Sequence, residues 1–278
     1  MANTRELRRR IKSIKNTSQI TKAMQMVAAT KMRRAQNQAL SGRPYQENLM
    51  ASLERLLPRI NPEEHPFLSG NDSKATGVVL LSTDKGLVGA LNTNLIRILA
   101  SHIGSGNVVY YTVGKKGRSF VARTARRLAG DFENADTVTF KEAKQLSRML
   151  IEAFLAGEIG QVSLVYPQFV STLKQEPKIM KLLPISVEVL EVSKEFLFEP
   201  NADVLLDYLL VHHVEEQIYQ ALLETKASEH SARMVAMKAA TDNALELVDD
   251  LNLAYNQTRQ ASITTELLEI TTAQVAMG

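Results

Sequence analysis

Two long stretches, one at each end of the chain, contain neither glycine nor proline: residues 1–41 and 201–277. All eight prolines lie between Pro44 and Pro200, and 12 of the 13 glycines lie between Gly42 and Gly160. Because an internal glycine costs a helix about 1 kcal/mol and an internal proline about 3 kcal/mol, the sequence predicts long helices at the two ends alone. A carboxyl-terminal helix of roughly 65 residues would be about 100 Å long, so we expect it to project from a globular body.

The two ends carry opposite charge. Residues 1–43 hold 11 Lys or Arg and one acidic residue, Glu6, whereas residues 201–278 hold 12 acidic and four basic residues. Opposite charges beside an apolar seam help two helices select each other and an orientation. Since the middle of the chain folds back between them, the sequence predicts a long antiparallel coiled coil of the N- and C-terminal helices.

Apolar spacing favours the same interpretation. Near the carboxyl terminus, small and apolar residues recur in alternating steps of three and four, the 3.5-residue period of a left-handed coiled coil: Val211, Val214, Ile218, Ala221, Thr225, Ser228, Ala232, Val235 and Ala239. Asp242 interrupts this seam, and Leu245, Val248, Asn252 and Tyr255 give a shifted register. At the other end a stripe begins with Leu7, Ile11 and Ile14 and continues, after a stutter, with Ile20, Met24 and Val27. The alternative is an ordinary amphipathic helix on a core, which the predicted length disfavours.

The middle of the chain alternates strand-like and helix-like segments, which is typical of an α/β domain with a largely parallel sheet. We therefore predict a central Rossmann-like α/β domain with strands at Thr76–Leu81, Val108–Val113, Val162–Tyr166 and Val187–Val192, and helices at Leu91–Ile103, Lys116–Ala129 and Phe140–Gly157. The predicted division is an N-terminal coiled-coil helix at 1–57, a linker at 58–75 that is flexible around Glu63–Ser73, the α/β domain at 76–194, and a foot with the C-terminal helix at 195–278.

Composition excludes several classes of function. The chain has no cysteine, so it forms no disulfide, thiolate metal site or cysteine nucleophile. It has no run of about 18 apolar residues, as a membrane-spanning helix requires. The basic start, MANTRELRRRIKSIKN, precedes no apolar run and is not a secretory signal. We expect a chain on the cytoplasmic side of the membrane.

No catalytic constellation emerges from the residues. The loop Ser82–Asn92 follows a predicted strand, where anions commonly bind, but it lacks the spacing of known phosphate-binding motifs. A structural turn is the simpler interpretation. His212 and His213 are adjacent on a predicted helix and cannot easily share a metal. The pairs Glu215-Glu216 and Asp249-Asp250 are typical of a solvated acidic face. We expect no cofactor and no metal.

A nucleic-acid-binding protein is the alternative of a different class. Its phosphate contacts would come from Arg5, Arg8, Arg9, Arg10, Lys12 and Lys15. Two features count against it: this basic segment has an acidic partner helix in the same chain, and it lacks aromatic residues on which bases could stack.

Several blocks of sequence resemble one family in order and spacing. Arg10–Gln36, RIKSIKNTSQITKAMQMVAATKMRRAQ, and Ser228–Leu267, SEHSARMVAMKAATDNALELVDDLNLAYNQTRQASITTEL, are similar to the two terminal helices of the gamma subunit of the F-type ATP synthase. The loop STDKGLVGALN resembles that family's SDRGLxG segment, and EFLFEPN at Glu195–Asn201 resembles its foot. The resemblance covers essentially the whole chain. One departure is Ala273-Gln274, where the family usually has Gly-Ala, and the cysteine-bearing regulatory insertion of chloroplast members is missing.

The resemblance implies a function for the predicted architecture. It implies a non-catalytic shaft inside a hexamer of three alpha and three beta subunits, resting with the epsilon subunit on the membrane c-ring and coupling proton flow to ATP synthesis. Contact with the membrane would come only through the ring, at the cytoplasmic face. Catalytic residues would belong to the beta subunits, and no nucleic acid would be bound.

The resemblance also implies which residues make contacts. Arg259 and Gln260 would contact a catch loop of the beta subunit. An Arg side chain can form two parallel hydrogen bonds with a carboxylate of such a loop. Lys22 and Met24 would meet an acidic loop of beta, while Phe198 and Glu199 would lie against the ring. The last stretch, Ile270–Gly278, has no charge, which suits a tip that turns in an apolar collar. A frayed terminus is the alternative interpretation of that stretch.

Overall fold

The structure is a computed structural model that describes residues 2–59, 65–102, 106–186 and 201–277. Its elements, in chain order, are α1 Ala2–Leu56, a 3₁₀ turn Leu57–Arg59, α2 Pro66–Ser69, β1 Thr76–Leu81, α3 Leu91–His102, β2 Val108–Val113, α4 Lys115–Arg123, β3 Arg127–Phe132, α5 Phe140–Leu155, β4 Gln161–Phe169, β5 Gln175–Leu183 and α6 Ala202–Met277. The chain divides into two compact units. We call residues 1–28 with 233–278 the helical unit, and residues 29–232 the sheet unit.

The sheet unit is built on five strands in the order β3-β2-β1-β4-β5. β1 pairs in parallel with β2 and β4, β2 pairs in parallel with β3, and β5 pairs antiparallel with β4. Alternate residues of β1 face opposite sides of the sheet, as strand geometry requires. Val78 and Leu80 pack with α3 and α4, and Val79 and Leu81 pack in the cluster that includes α1, α5 and α6. The predicted α/β fold class is confirmed.

The strands that sequence predicted correctly are the buried ones. β1 and β2 have the predicted bounds, and the third predicted strand lies within β4. The predicted helix at 116–129 is wrong in its second half, because α4 ends at Arg123 and residues 127–132 form the edge strand β3. The other edge strand, β5, was missed. The predicted strand Val187–Val192 lies outside the described residues.

The segment after α1 differs from the flexible linker that the sequence predicts. His65 accepts a hydrogen bond from Phe67 N through its ring, capping α2, and Phe67 is buried. Asn71 Nδ2 donates to the carbonyl oxygens of Phe154 and Ile159, at 2.7 and 2.9 Å. These contacts fix the described part of the segment, from residue 65 onwards, on the end of α5.

Helix α1 continues through Gly42 and Pro44, two residues that disfavour helix, and ends at Leu56. Proline supplies no N–H to the preceding turn, so the helix loses a hydrogen bond there. The continuation is stabilised by packing, because Leu49, Leu53 and Leu56 farther along the same helix are buried.

Within the sheet unit α1 and α6 run antiparallel, as predicted. Gln38 Nε2 donates to Tyr219 Oη at 2.8 Å, and Tyr45 Oη lies 2.6 Å from His212 Nε2, so the α6 number falls as the α1 number rises. The predicted α6 seam is confirmed in this unit, where its members from Val214 to Ser228 are buried.

Within the helical unit the seam agrees with the prediction only in part, at Leu7, Ile11, Ile14, Val248 and Tyr255. The less exposed residues of α1 recur in steps of three and four without a stutter: Thr4, Leu7, Ile11, Ile14, Ser18, Thr21, Gln25 and Ala28. Those of α6 do the same: Met237, Thr241, Ala244, Val248, Leu251, Tyr255, Thr258 and Ser262. The predicted members Ile20, Val27, Ala239 and Leu245 are exposed. The small side chains of Ser18, Ala28, Thr241 and Ala244 in this seam allow the two helices to approach closely.

Candidate functional site

The residues predicted to contact beta subunits lie in the helical unit, and three of the four are exposed. Lys22, Arg259 and Gln260 are exposed, and Met24 is half-buried. Within residues 2–59, 65–102, 106–186 and 201–277, the structure gives neither the Lys22 ammonium nor the Arg259 guanidinium a side-chain hydrogen bond or ion pair. Both cations therefore have their donors available for a partner.

The two predicted contact points are separate. Thr21 Oγ1 lies 2.7 Å from Thr241 Oγ1, which fixes the register of α1 against α6 in this unit. Arg259 lies 18 residues along α6 from Thr241, about 27 Å at the helical rise. Lys22 and Met24 also point to different sides of α1, since residues two apart on a helix do not share a face. The predicted site is thus a set of surfaces rather than one cluster.

An apolar stripe lies on the outer surface of α1. Ile20 is 60% exposed and Val27 is 55% exposed, and their spacing of seven places them on one face with the half-buried Met24. These three residues are the part of the predicted α1 stripe that follows the stutter. Contiguous exposed apolar surface marks a protein interaction site more often than isolated residues do, so the stripe is a candidate contact with a partner protein.

The end of α6 is the second apolar surface. In the register fixed by Thr21 and Thr241, the described part of α1, which starts at Ala2, reaches about as far as residue 260 of α6. The large apolar side chains of this end are exposed: Ile263, Leu267, Leu268, Ile270 and Val275. The final charged residue is Glu269. A solitary apolar helix is marginal in water, so this end has the surface of a helix that another protein encloses.

The loops after β1 and β2, in the sheet unit, form no phosphate cradle. Ser82 Oγ donates towards the carbonyl oxygens of Val113 and Gly114 and accepts from Gly117 N at 2.7 Å. A Cβ on Gly114 would lie 2.4 Å from Ser82 O, so the two loops are in direct contact. Their polar groups bind each other, and the structural-turn interpretation of Ser82–Asn92 fits this geometry.

Polar side chains of α6 fasten that helix to the sheet. Ser228 Oγ donates to Pro167 O at 2.9 Å, and Ser231 Oγ donates to Thr172 O at 2.6 Å. Lys226 Nζ donates to Asn134 O at 3.0 Å. Sequence reasoning missed these contacts because it interpreted the small residues only as a helix seam.

The acidic pair Glu215-Glu216 is buried, which corrects the predicted solvated face, whereas Asp249 and Asp250 are exposed as predicted. Glu215 Oε2 lies 3.3 Å from His212 Nδ1, and burial raises the pKa of Glu216. His213 is buried and has its pKa lowered to about 4 by desolvation. His212 and His213 thus occupy different surroundings, and no metal cluster forms among the described residues.

Two predicted contact residues, Phe198 and Glu199, lie outside the described residues. Across the described ranges 2–59, 65–102, 106–186 and 201–277, none of the helices has the length and apolar character required to cross a membrane.

Comparison with known proteins identifies the family. The ATP synthase family profile matches residues 3–277, and the ATP synthase gamma chain of Methylacidiphilum infernorum is 48% identical, with all of both chains covered. The chain belongs to the ATP synthase gamma chain family. A solved chain from the central stalk and c-ring of the Tetrahymena thermophila mitochondrial ATP synthase is similar with a TM-score of 0.61 and 25% identity, covering 80% of this chain and 99% of that one. A chain of the Euglena gracilis mitochondrial ATP synthase has a TM-score of 0.72 and 21% identity, covering 99% and 95%, which shows a shared fold.

Proposed function

We propose that the chain is the central rotor shaft of an F-type ATP synthase. In this role it is a non-catalytic subunit that turns within three alpha and three beta subunits and couples proton flow through a membrane ring to ATP synthesis or hydrolysis. The observation that carries the proposal is the exposed apolar surface of the helical unit, at Ile20, Val27 and the end of α6. A chain that functioned alone would leave this surface in water.

The shaft acts by contacting different beta subunits in turn. Its sides are unequal: one side of α1 carries the apolar stripe, and other positions carry cations such as Lys22. Each side of the shaft makes more favourable contacts with either the open or the closed state of a beta subunit. As the shaft rotates, each beta subunit meets a different side, so the populations of its open and closed states shift. The affinity for ADP, phosphate and ATP then changes with the angle of the shaft.

The contact residues keep the roles that the resemblance implies. Arg259 and Gln260 bind a beta-subunit catch loop, and Lys22 and Met24 meet an acidic loop of beta. Phe198 and Glu199 contact the membrane c-ring at the foot, with the epsilon subunit beside the α/β domain. The exposed, unpaired state of Arg259 supports its role, because a free guanidinium is ready to bind a carboxylate bidentately.

The hydrogen bonds between α6 and the sheet support transmission of torque. Ser228 and Ser231 bind the β4–β5 hairpin region, and Lys226 binds the loop after β3. A turning force on the sheet would therefore reach α6 through several short bonds rather than through a flexible linker. The division into helices 1–57 and 195–278 with a domain at 76–194 is part of this proposal, as is a peripheral place at the cytoplasmic face of the membrane complex.

Replacement of Arg259 tests the proposal. The chain, wild type or Arg259→Ala, is assembled with purified alpha and beta subunits, and ATP hydrolysis is measured. Losing one charge-assisted hydrogen bond costs about 1.5–3 kcal/mol, and each step of about 1.4 kcal/mol is a factor of ten, so we expect turnover to fall about tenfold or more while the isolated chain unfolds as the wild type does. Lys238→Ala is the matched control, since Lys238 is another exposed cation of α6 in the same unit. Equal turnover for Arg259→Ala and wild type would contradict the role of Arg259.

A further inference from the structure

A cavity of about 260 Å³ lies in the sheet unit among α1, α6 and the loop between β3 and α5. Its polar lining comes from Lys31, Arg34, Gln38, Asp136, Lys226 and His230. Lys226 and His230 are almost fully buried, whereas Arg34 and Asp136 are exposed at the opening. Ala35, Val138 and Leu223 add apolar walls. The cavity is therefore open to water on one side and has charged groups at both its opening and its interior.

The cations of this cavity have unused donors. Lys226 Nζ donates to Asn134 O and to Glu229 Oε2, at 3.0 and 3.2 Å, and an ammonium has three protons. The third proton of Lys226 remains for a ligand. Arg34 is exposed and has no side-chain bond among the described residues, so its five donors are available.

The carboxylate of Asp136 lies beside these cations. Lys31 Nζ donates to Asp136 Oδ2 at 3.0 Å, and the pKa of Asp136 is lowered, first by that hydrogen bond and also by the charges of Lys31, Lys226 and Lys85. The lowered pKa of this carboxylate indicates that the electrostatic potential around Asp136 is positive. It therefore marks where another anion would be stabilised, in competition with Asp136 itself.

We propose that this cavity binds a small multivalent oxyanion of the phosphate class. Arg34 and Lys31 bind the oxyanion at the opening, and Lys226 with His230 binds it inside. The volume is below the range of roughly 300–1,000 Å³ that holds drug-sized ligands, so a phosphate or pyrophosphate group fits and a whole nucleoside stays outside. A bound oxyanion would connect α1, α6 and the loop that precedes α5. The proposal can be tested on this chain alone, so its outcome does not depend on the proposed rotor function.

The test is calorimetric titration of the full-length chain with inorganic phosphate, pyrophosphate and ATP, in parallel with chloride at equal ionic strength. We expect binding of phosphate or pyrophosphate that chloride does not reproduce. Tighter binding of ATP than of pyrophosphate would assign the site to the phosphate tail of a nucleotide, and the reverse would assign it to free phosphate. Heat changes that are the same in chloride would overturn the proposal.

Three variants locate the site. Arg34→Gln removes a cation with no described bond of its own, and loss of its charge-assisted contacts, about 1.5 kcal/mol or more, weakens binding about tenfold. Arg33→Gln is the matched control, since Arg33 is the adjacent exposed cation of α1 and does not line the cavity. Asp136→Asn removes the competing carboxylate and should tighten binding. Equal affinities for Arg34→Gln and wild type, or an equal loss in Arg33→Gln, would overturn the assignment, as would weaker binding by Asp136→Asn.

Discussion

The two units differ in where many of their large apolar side chains lie. In the sheet unit these side chains are inside: Leu53, Leu150, Phe154 and Leu164 are fully buried. In the helical unit the buried seam includes Ser18, Ala28 and Thr241, while Leu253, Leu267 and Ile270 are exposed. The sheet unit therefore stabilises itself, and the helical unit carries apolar surface that suits partner proteins. The comparison teaches that an apolar face of a helix need not be the face that packs within its own chain.

The largest effect on stability is expected in the sheet unit. Leu164 lies in β4 and is fully buried, so Leu164→Ala leaves a cavity and should lower the free energy of unfolding by about 2–5 kcal/mol. Denaturant unfolding of the purified chain measures it. Leu173→Ala is the control, because Leu173 of the same unit is 82% exposed. Similar losses for the two variants would show that burial in this unit does not determine stability.

Acid should weaken the same unit through His213. Burial lowers the pKa of His213 to about 4, whereas an unfolded histidine titrates near 6.5. Between these values the unfolded chain binds a proton that the folded chain refuses, so the free energy of unfolding falls as pH falls from about 6.5 to 4, by up to about 3 kcal/mol. We expect His213→Leu to lose less stability over this range in denaturant unfolding at several pH values. Glu216, whose pKa is raised, makes the free energy of unfolding rise as pH falls, and it does so equally in the wild type and in His213→Leu.

If His213→Leu and wild type lose equal stability between pH 6.5 and 4, then His213 does not account for the acid sensitivity. His213→Leu also removes a buried ring nitrogen, Nδ1, that has no hydrogen-bond partner in the described part of the chain. The comparison is therefore one of slopes against pH rather than of stability at one pH.

A smaller effect is expected from the polar seam of the helical unit. Thr21→Val removes one partner of the 2.7 Å bond to Thr241 and should cost about 1 kcal/mol, because the Thr241 hydroxyl loses this bond and keeps only its bond to Met237 O. The double variant Thr21→Val with Thr241→Val restores like surfaces and should recover part of the loss. Thermal unfolding of the two single variants and the double variant measures the coupling. Strictly additive losses would mean that the two hydroxyls do not interact.

The smallest effect on stability is expected at the end of α6. Leu267 is 58% exposed, so Leu267→Asn should change the free energy of unfolding by about 0.5 kcal/mol or less. The same substitution should weaken assembly with alpha and beta subunits, which a sizing column detects. Stability that falls as far as in Leu164→Ala would remove the contrast between the units.

Sequence reasoning recovered the parts of the fold that composition and burial determine together. The stretches without glycine and proline marked the two long helices, and the continuous apolar runs of β1 and β2 marked central strands, which are buried on both faces. Edge strands gave no such signal. β3 carries exposed residues such as Arg127 and Asp131, and β5 mixes lysines with apolar residues, so neither has the pattern of a buried strand.

The candidate surfaces were predictable only in part. The positions of Arg259 and Gln260 came from the resemblance, and the structure adds their exposure. Periodicity placed Ile20 and Val27 in the seam, because hydrophobic spacing does not distinguish a face that meets the same chain from one that meets another protein. The cavity at Lys31, Arg34 and Lys226 gave no signal, since its residues come from segments far apart in sequence.

The most direct test of the rotor function mixes the purified chain with separately purified alpha and beta subunits, and follows co-elution on a sizing column together with ATP hydrolysis. We predict a complex with one copy of this chain per three alpha and three beta subunits, and hydrolysis that the chain alone lacks. Failure to associate, under conditions in which another gamma subunit assembles with the same alpha and beta preparations, would contradict the account.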